Sequence, residues 1–492
     1  MRKLRLTIVI LCSILVASPV LADLQDGGYR YINVLRQGLS YIWNFDMWFG
    51  SGSPWCDVRA QGAKGDGITD DTAAFQACFT LITTKYGAGT INIPPGTYCT
   101  FSGVIADNVI LGDVIWKGSG VRASVLDVCG HNVTAFTVNK QFGAMENMAI
   151  YGYGMHSTDT PFGINVAPAV LLNSGASYFA LHHTLVQGGG FPIDARCNGC
   201  RITEVTAQYM YGDNSGVRAA NARIINSGQY WLHDSFDQVV PTGTAPTFPT
   251  TVVAWTNAHV YTANTIAQFT CSGITWFAQV TVGGTSGASQ PACQPYLRNI
   301  TDNTVTWQMV APTTSYAMMI DTGVNEVVVD SVDVTGFFGA CVGITNSFSG
   351  TAPQNIWLHS MTPGGCYNQG YLINAGSNIT IHSGDVQGCI FTSCNGLFVN
   401  GIAGVFLTID GVNFHNGGLT SVTLGANTTG VFATGNTFNM GTTNSVVLGA
   451  STNAYSFIGN FCVHPQTGAV NADSGRYFPS AATTPNFGNP FC

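Results

Sequence analysis

Charge is scarce in this chain. Only 9% of its 492 residues are Asp, Glu, Lys or Arg, and glutamate occurs three times, at Glu146, Glu204 and Glu326. The 17 Lys and Arg residues nowhere gather into a basic patch, which argues against nucleic acid as a partner. After the N-terminus no apolar run approaches the roughly 18 residues that a membrane-spanning helix needs. Cys197-x-x-Cys200 has no second C-x-x-C and no neighbouring histidines, so it reads as a local disulfide rather than a zinc or redox site.

What is present points to export. Arg2, Lys3 and Arg5 precede the apolar run Ile8 to Val16, and Val20-Leu21-Ala22 offers a cleavage site. Residues 1–22 are therefore expected to be a signal peptide, leaving a secreted chain that is periplasmic or extracellular and has no membrane contact. Bulky Leu11 speaks against a lipid anchor on Cys12. Losing the three basic residues of the signal takes the net charge from −8 to −11, and fourteen of the 15 cysteines remain. An even count in an exported chain favours disulfides. Cys271 with Cys293, and Cys389 with Cys394, are further pairs that proximity suggests. Fifty-nine glycines, with much Asn, Thr and Ser, indicate extended β-structure and tight turns.

Residues 23–54 are rich in aromatics and end in the linker-like Gly50-Ser51-Gly52-Ser53-Pro54. Beyond Thr72, Phe75, Cys78, Phe79 and Ile82 share one face of a helix. Thr69, Asp70 and Asp71 stand where an N-cap and first-turn acids accept orphan N–H groups. Asp66, Asp70 and Asp71 are accordingly read as structural. Thr90 to Tyr98 reads as a strand stopped by Pro94-Pro95-Gly96. After residue 100, short alternating runs recur at solenoid spacing without an exact repeat. Ile379-Thr380-Ile381, with Val386, matches Leu407-Thr408-Ile409, with Phe414, at an offset of 28 residues. Gly435-Asn436-Thr437-Phe438 and Gly459-Asn460-Phe461 echo each other. Tyr230-Trp231-Leu232, Val327-Val328-Val329 and Ile356-Trp357-Leu358 look similar. Each run would send alternate residues inward.

The pattern Asp57-Val58, Gly62-Ala63, Gly65-Asp66-Gly67, Thr69-Asp70-Asp71-Thr72, followed by Pro94-Pro95-Gly96 and Tyr98, resembles the start of the pectate-lyase superfamily. More narrowly it resembles the rhamnogalacturonase/epimerase-like pectate lyase domain, which is shared with phage tailspikes. The motif match covers about residues 55–100. The resemblance implies an all-β fold, a single-stranded right-handed parallel β-helix whose first coil is covered by a capping helix. The rung pattern breaks between Pro241 and Pro312. There Gly284-Thr285-Ser286-Gly287 and Asp302-Asn303-Thr304-Val305-Thr306-Trp307 resemble a small β module of secreted carbohydrate-active and phage tail proteins. The expected layout is β-helix with capping helix over 55–240, an inserted accessory module over 241–312, and β-helix with a C-terminal cap over 313–492.

The resemblance places chemistry in an outer groove of the middle coils. Hydrolysis of a glycosidic bond usually needs two carboxyl groups; a lyase needs a base for the C5 proton of a uronic acid and a cation for its carboxylate. The candidate catalytic residues are Asp234 with Asp237, and Glu326 with Asp330 and Asp333. In an extended strand Glu326 and Asp330 lie opposite Val327 and Val329. Glu204 and Asp213 are weaker candidates. Arg196, Arg201, Arg218 and Arg223 either bind acidic sugars or pair with nearby acids. His182 and His183, as adjacent strand residues, are expected to face opposite sides and form no common site. Trp255, Tyr261, Trp276 and Trp307 are candidate sugar-stacking residues, unless they form the core of the small module. The polygalacturonase pattern of a later D-D pair, G-H-G and R-x-K is missing from the coil, so that hydrolase mechanism does not carry over. The function expected is cleavage of a pectin-like or other acidic polysaccharide, by a hydrolase or a lyase. No cofactor is implied, with calcium entering only for a lyase. The chain is either a monomer or a homotrimer. The competing readings are a non-catalytic carbohydrate-binding adhesin and a phage-derived tailspike-like protein, against which the export signal counts.

Overall fold

The computed structural model describes residues 54–488 apart from 108–111, 141, 154–166, 177, 191, 198, 209–218, 225–229, 234–235, 238–251, 272–273, 294–298, 313–314, 336–338, 348–349, 367, 388–394, 416–419, 440–445, 451 and 463–486. The expected signal peptide, the aromatic-rich segment, Asp213, Asp234 and the Cys389–Cys394 pair lie outside the described residues.

The helix expected after the Asp70-Asp71 pair is α1 (Thr72–Leu81), extended by one wider turn, Ile82–Tyr86. Its apolar face is buried as the spacing requires: Phe75, Cys78, Phe79 and Ile82 are at most 3% exposed. Phe79 stacks on Trp116 and Phe75 meets the edge of Tyr98, so α1 covers the side chains of the first coils. Asp70 caps as expected, accepting the Thr72 N–H and hydroxyl. Asp71 corrects the reading. It holds the N-cap position, but its carboxylate turns back to accept the N–H groups of Lys64 and Gly65. At 2% exposure that carboxylate needs donors, and the loop supplies them. Asp66 accepts N–H groups from Thr69 and Ile68 and the Thr69 hydroxyl, and these bonds lower its pKa to about 2.

From here the chain winds as a parallel β-solenoid. One sheet stacks eleven parallel strands; a larger one carries, in most coils, two strand segments joined at a bend. The segments that matter below are β1 (Gly143–Tyr151), β2 (Phe179–Gln187), β3 (Cys200–Gln208), β4 (Tyr230–His233), β5 (Asn325–Asp330), β6 (Gln354–His359), β7 (Ser377–Gln387), β8 (Leu407–His415) and β9 (Thr429–Thr434). Each pairs in parallel with the next. Inward positions of β5 to β8 are apolar: Val327, Val329, Ile356, Leu358, Ile379, Ile381, Leu407 and Ile409 are at most 1% exposed. Stacked on their equivalents above and below, they form one continuous core.

Residues 252–312 contribute a separate five-stranded sheet, mainly antiparallel, with its own core. Tyr261, Trp276 and Trp307 are 2%, 1% and 0% exposed and pack in that core. Their ring faces are covered by protein, so they cannot stack on a sugar in this structure; a small sheet needs such large side chains to exclude water. Trp255 is half-buried, its indole N–H held by Asp302.

Cys197–Cys200 and Cys271–Cys293 are disulfides, as are Cys56–Cys78, Cys99–Cys129 and Cys341–Cys366. Among the described residues no helix is long and apolar enough to cross a membrane.

Candidate active site

Register decides which outer side chains become neighbours. In the larger sheet one outward position carries, coil after coil, Lys117, Glu146, His182 and Thr203, with the backbone of His233 next in register. Past the Leu232–Val329 pair the same position continues as Asp330, His359, His382, Asp410 and Thr434. The row is almost wholly ionisable in a chain with little charge.

Directly after this row the backbone bends through a left-handed residue. Asn147, His183, Glu204, Ser331, Ser360 and Ser383 hold φ between 48° and 57°, and Gly411, Gly435 and Gly459 take over at 63–65° in the last coils. A residue with a Cβ costs roughly 1–2 kcal/mol in this region, which glycine avoids. The bend also breaks strand alternation. His183 therefore does not face away from His182, as expected from a regular strand. Both rings reach one carboxylate: His182 Nε2 lies 3.3 Å and His183 Nδ1 3.4 Å from Glu204 Oε2 on the next coil. The His182 Nδ1 meets the Thr203 hydroxyl at 2.9 Å.

A second cluster lies further along. His382 Nδ1 is 2.9 Å from Asp410 Oδ2, and Asp410 Oδ1 accepts the Thr434 hydroxyl at 2.8 Å. The His359 ring stands 5.7 Å from that of His382, edge to face. With Nδ1–H given to Asp410, the outer Nε2 of His382 is bonded to nothing among the described residues and points its lone pair away from the carboxylate. Beyond the bend, Asp385 accepts from Asn413 and lies against His415.

Side chains in these pairs are 43–56% exposed, and exposed ion pairs contribute about 0–1 kcal/mol, so the pairs add little to stability.

The proposed acids distribute as follows. Asp330 sits in the row, accepting from Ser331, and Asp333 follows the same bend, accepting from Thr362. Glu326 has left-handed backbone, φ 88°, at the other end of β5, and so stands apart from this pair. It adjoins the ladder in which Asn378 donates to Asn355 and Asn355 to Asn325. Asp237 is placed by its backbone beside Thr335. Arg196 pairs with buried Asp194, while Arg201 is exposed. Sequence reasoning set His182 and His183 aside and did not single out His359, His382 or Asp410. A signal was present: the runs Tyr230-Trp231-Leu232, Val327-Val328-Val329, Ile356-Trp357-Leu358, Ile379-Thr380-Ile381 and Leu407-Thr408-Ile409 are each followed at once by His or Asp.

No curated protein matches the chain in sequence. Among solved structures, the A-module of Azotobacter vinelandii mannuronan C-5 epimerase AlgE4 is similar at a TM-score of 0.53 and 14% identity, over 83% of this chain and 95% of that one. The AlgE6 A-module of the same organism gives 0.52 and 15%, over 83% and 94%. At such identities the likeness is one of fold. Residues 55–165 match the family described as "Rhamnogalacturonase A/epimerase, pectate lyase-like", so the resemblance in the opening motif and the parallel β-solenoid agree on a pectate lyase-like fold.

Proposed function

We propose that this protein is an exported enzyme that cleaves an acidic polysaccharide lying along the row of ionisable side chains, and that His382 is its base. The observation that carries the reading is the His382–Asp410 pair, which fixes the imidazole tautomer and leaves Nε2 facing outward. Nε2 takes the proton from C5 of a uronic acid unit, and the C–H electron pair passes into the adjoining carboxylate group. As the C4–O bond breaks, the pair forms a C4=C5 double bond and the leaving oxygen takes up a proton. His359, beside His382, supplies positive charge to the substrate carboxylate when protonated. Asp410 and Thr434 are positioning residues. Among the described residues no three His, Cys, Asp or Glu side chains converge as metal ligands. The mannuronan C-5 epimerases of like fold carry a reaction at the same carbon in their names, which supports abstraction at C5 as the first step.

Export is part of the proposal, and the five disulfides fit it. Segment 241–312 is proposed as an accessory module, in which Trp255 is the remaining aromatic for sugar contact. The test is release of reducing ends from polyuronates, with ultraviolet absorbance of the new double bond followed in parallel. Both signals should appear in the wild type, and the rate at this site should fall about 10²–10⁴-fold in His382→Ala, the usual scale of general-base loss. Reducing ends without the absorbance would replace this mechanism by hydrolysis, with Asp330 and Asp333 as the acids to test. Binding without turnover would favour an adhesin.

A further inference from the structure

Five coil steps separate β2 from β7, through β3, β4, β5 and β6. The same number separates Glu204 on β3 from Asp410 on β8. The two clusters share a plan. In each, an imidazole directs Nδ1 at a carboxylate of the following coil, His183 at Glu204 and His382 at Asp410. In each, Nε2 of that ring is left without a bond among the described residues. We infer that His183 and Glu204 form a second proton-transfer centre, working on the same polymer chain as His382. The inference rests on the reading of His382 as a base.

Spacing makes simultaneous use feasible. Strands of adjacent coils are about 4.8 Å apart, and a pyranose unit in an extended chain advances by a similar length. Five coils, about 24 Å at that spacing, thus put the centres roughly five sugar units apart on one bound chain. The chemistry at the second centre is the same: His183 Nε2 accepts the C5 proton, the C4–O bond breaks, the C4=C5 bond forms, and the leaving oxygen takes up a proton from water. Glu204, 3.4 Å from Nδ1, faces the charge that develops on the ring. His182, on the same carboxylate oxygen and on Thr203, positions Glu204.

The test uses the full-length protein with single variants His183→Asn and His382→Asn and the double variant. Asparagine tolerates left-handed backbone, so His183→Asn keeps the bend; thermal midpoints verify folding. Substrates are a short oligouronide of four units and a long one of twelve or more. On the long chain each single variant should keep about half of the wild-type rate, since distant independent sites add, and the double variant should lose both signals. The wild type should release fragments of roughly five units early in the reaction, and each single variant should lose that preference. If His382→Asn alone abolishes turnover while His183→Asn matches the wild type in rate and fragment length, the second centre is overturned and the first stands. If His183→Asn raises KM alone, with rate and fragment length kept, Glu204 and His183 only bind substrate and the inference fails. A wild type silent on all polyuronates overturns both readings.

Discussion

Asn436 and Asn460 lie one coil apart inside the solenoid, both 0% exposed, with Asn436 Nδ2 bonded to Asn460 Oδ1 at 2.8 Å. Asn436 also donates to Ile409 O and accepts from Val412 N, and Asn460 donates to Ala433 O. Each side chain thus satisfies backbone groups that the bend withdraws from the strand ladder. Replacing Asn436 by Leu strands several buried polar atoms. At about 1–3 kcal/mol for each unmet group, we expect a loss of about 3 kcal/mol, measured by urea denaturation. A loss under 1 kcal/mol would mean that water enters the bend.

In a His183→Asn background, Asp410→Asn should leave fold and substrate affinity intact while kcat drops about 100-fold or more, because the amide no longer supports imidazolium at His382. Thr434→Val, which removes one hydrogen bond to Asp410, should cost less, about 3–10-fold by the worth of one bond to a charged group. Equal effects on KM and kcat from Asp410→Asn would argue for a binding role.

The acid limb of stability carries a signature at Asp66. Its bonds to Thr69 and Ile68 lower its folded pKa to about 2 from 3.8. A carboxylate depressed on folding adds stability above its unfolded pKa and loses it as pH falls through the folded one. Asp66→Asn should therefore lower the thermal midpoint at pH 5–7, and the gap should close between about pH 4 and pH 2. A gap that persists unchanged at pH 2 would assign the effect to hydrogen-bond geometry rather than charge.

Gly411 isolates the cost of the bend. An added Cβ would meet nothing nearer than Ser383 Oγ at 3.8 Å, so a substitution there is strained only through its φ of 65°. Gly411→Ala should cost about 1–2 kcal/mol, read from urea midpoints, and Ser383→Gly at the equivalent bend should be near neutral or slightly stabilising. If both changes prove neutral, the backbone has relaxed out of the left-handed region.

The scaffold was legible because burial repeats coil by coil. The 28-residue offset between Ile379 and Leu407 is the observed register, and Val386 stands beside Phe414 as the sequence indicated. The echo of Gly435-Asn436 in Gly459-Asn460 is also structural. Its aromatic part was misleading: Phe461 stands beside Thr437 and is 44% exposed, while Phe438 is buried and pairs with Cys462. The site was less legible for a physical reason. Its pairs span 21 residues from His183 to Glu204 and 28 from His382 to Asp410, so only register brings them together. Strict alternation, the rule applied to His182 and His183, fails wherever one residue turns left-handed.

Strand pairs link the coil that carries Glu204 to the coil that carries Asp410 step by step, and this limits how the surface can vary. Substitution can change what a position on the row carries, but not the interval between positions, which backbone hydrogen bonding sets. That interval changes only by whole coils. Gain or loss of one coil between the clusters would leave both imidazole–carboxylate pairs intact and shift their phase by one step. The solenoid behaves as a toothed rack, on which the distance between two chemistries takes integer values.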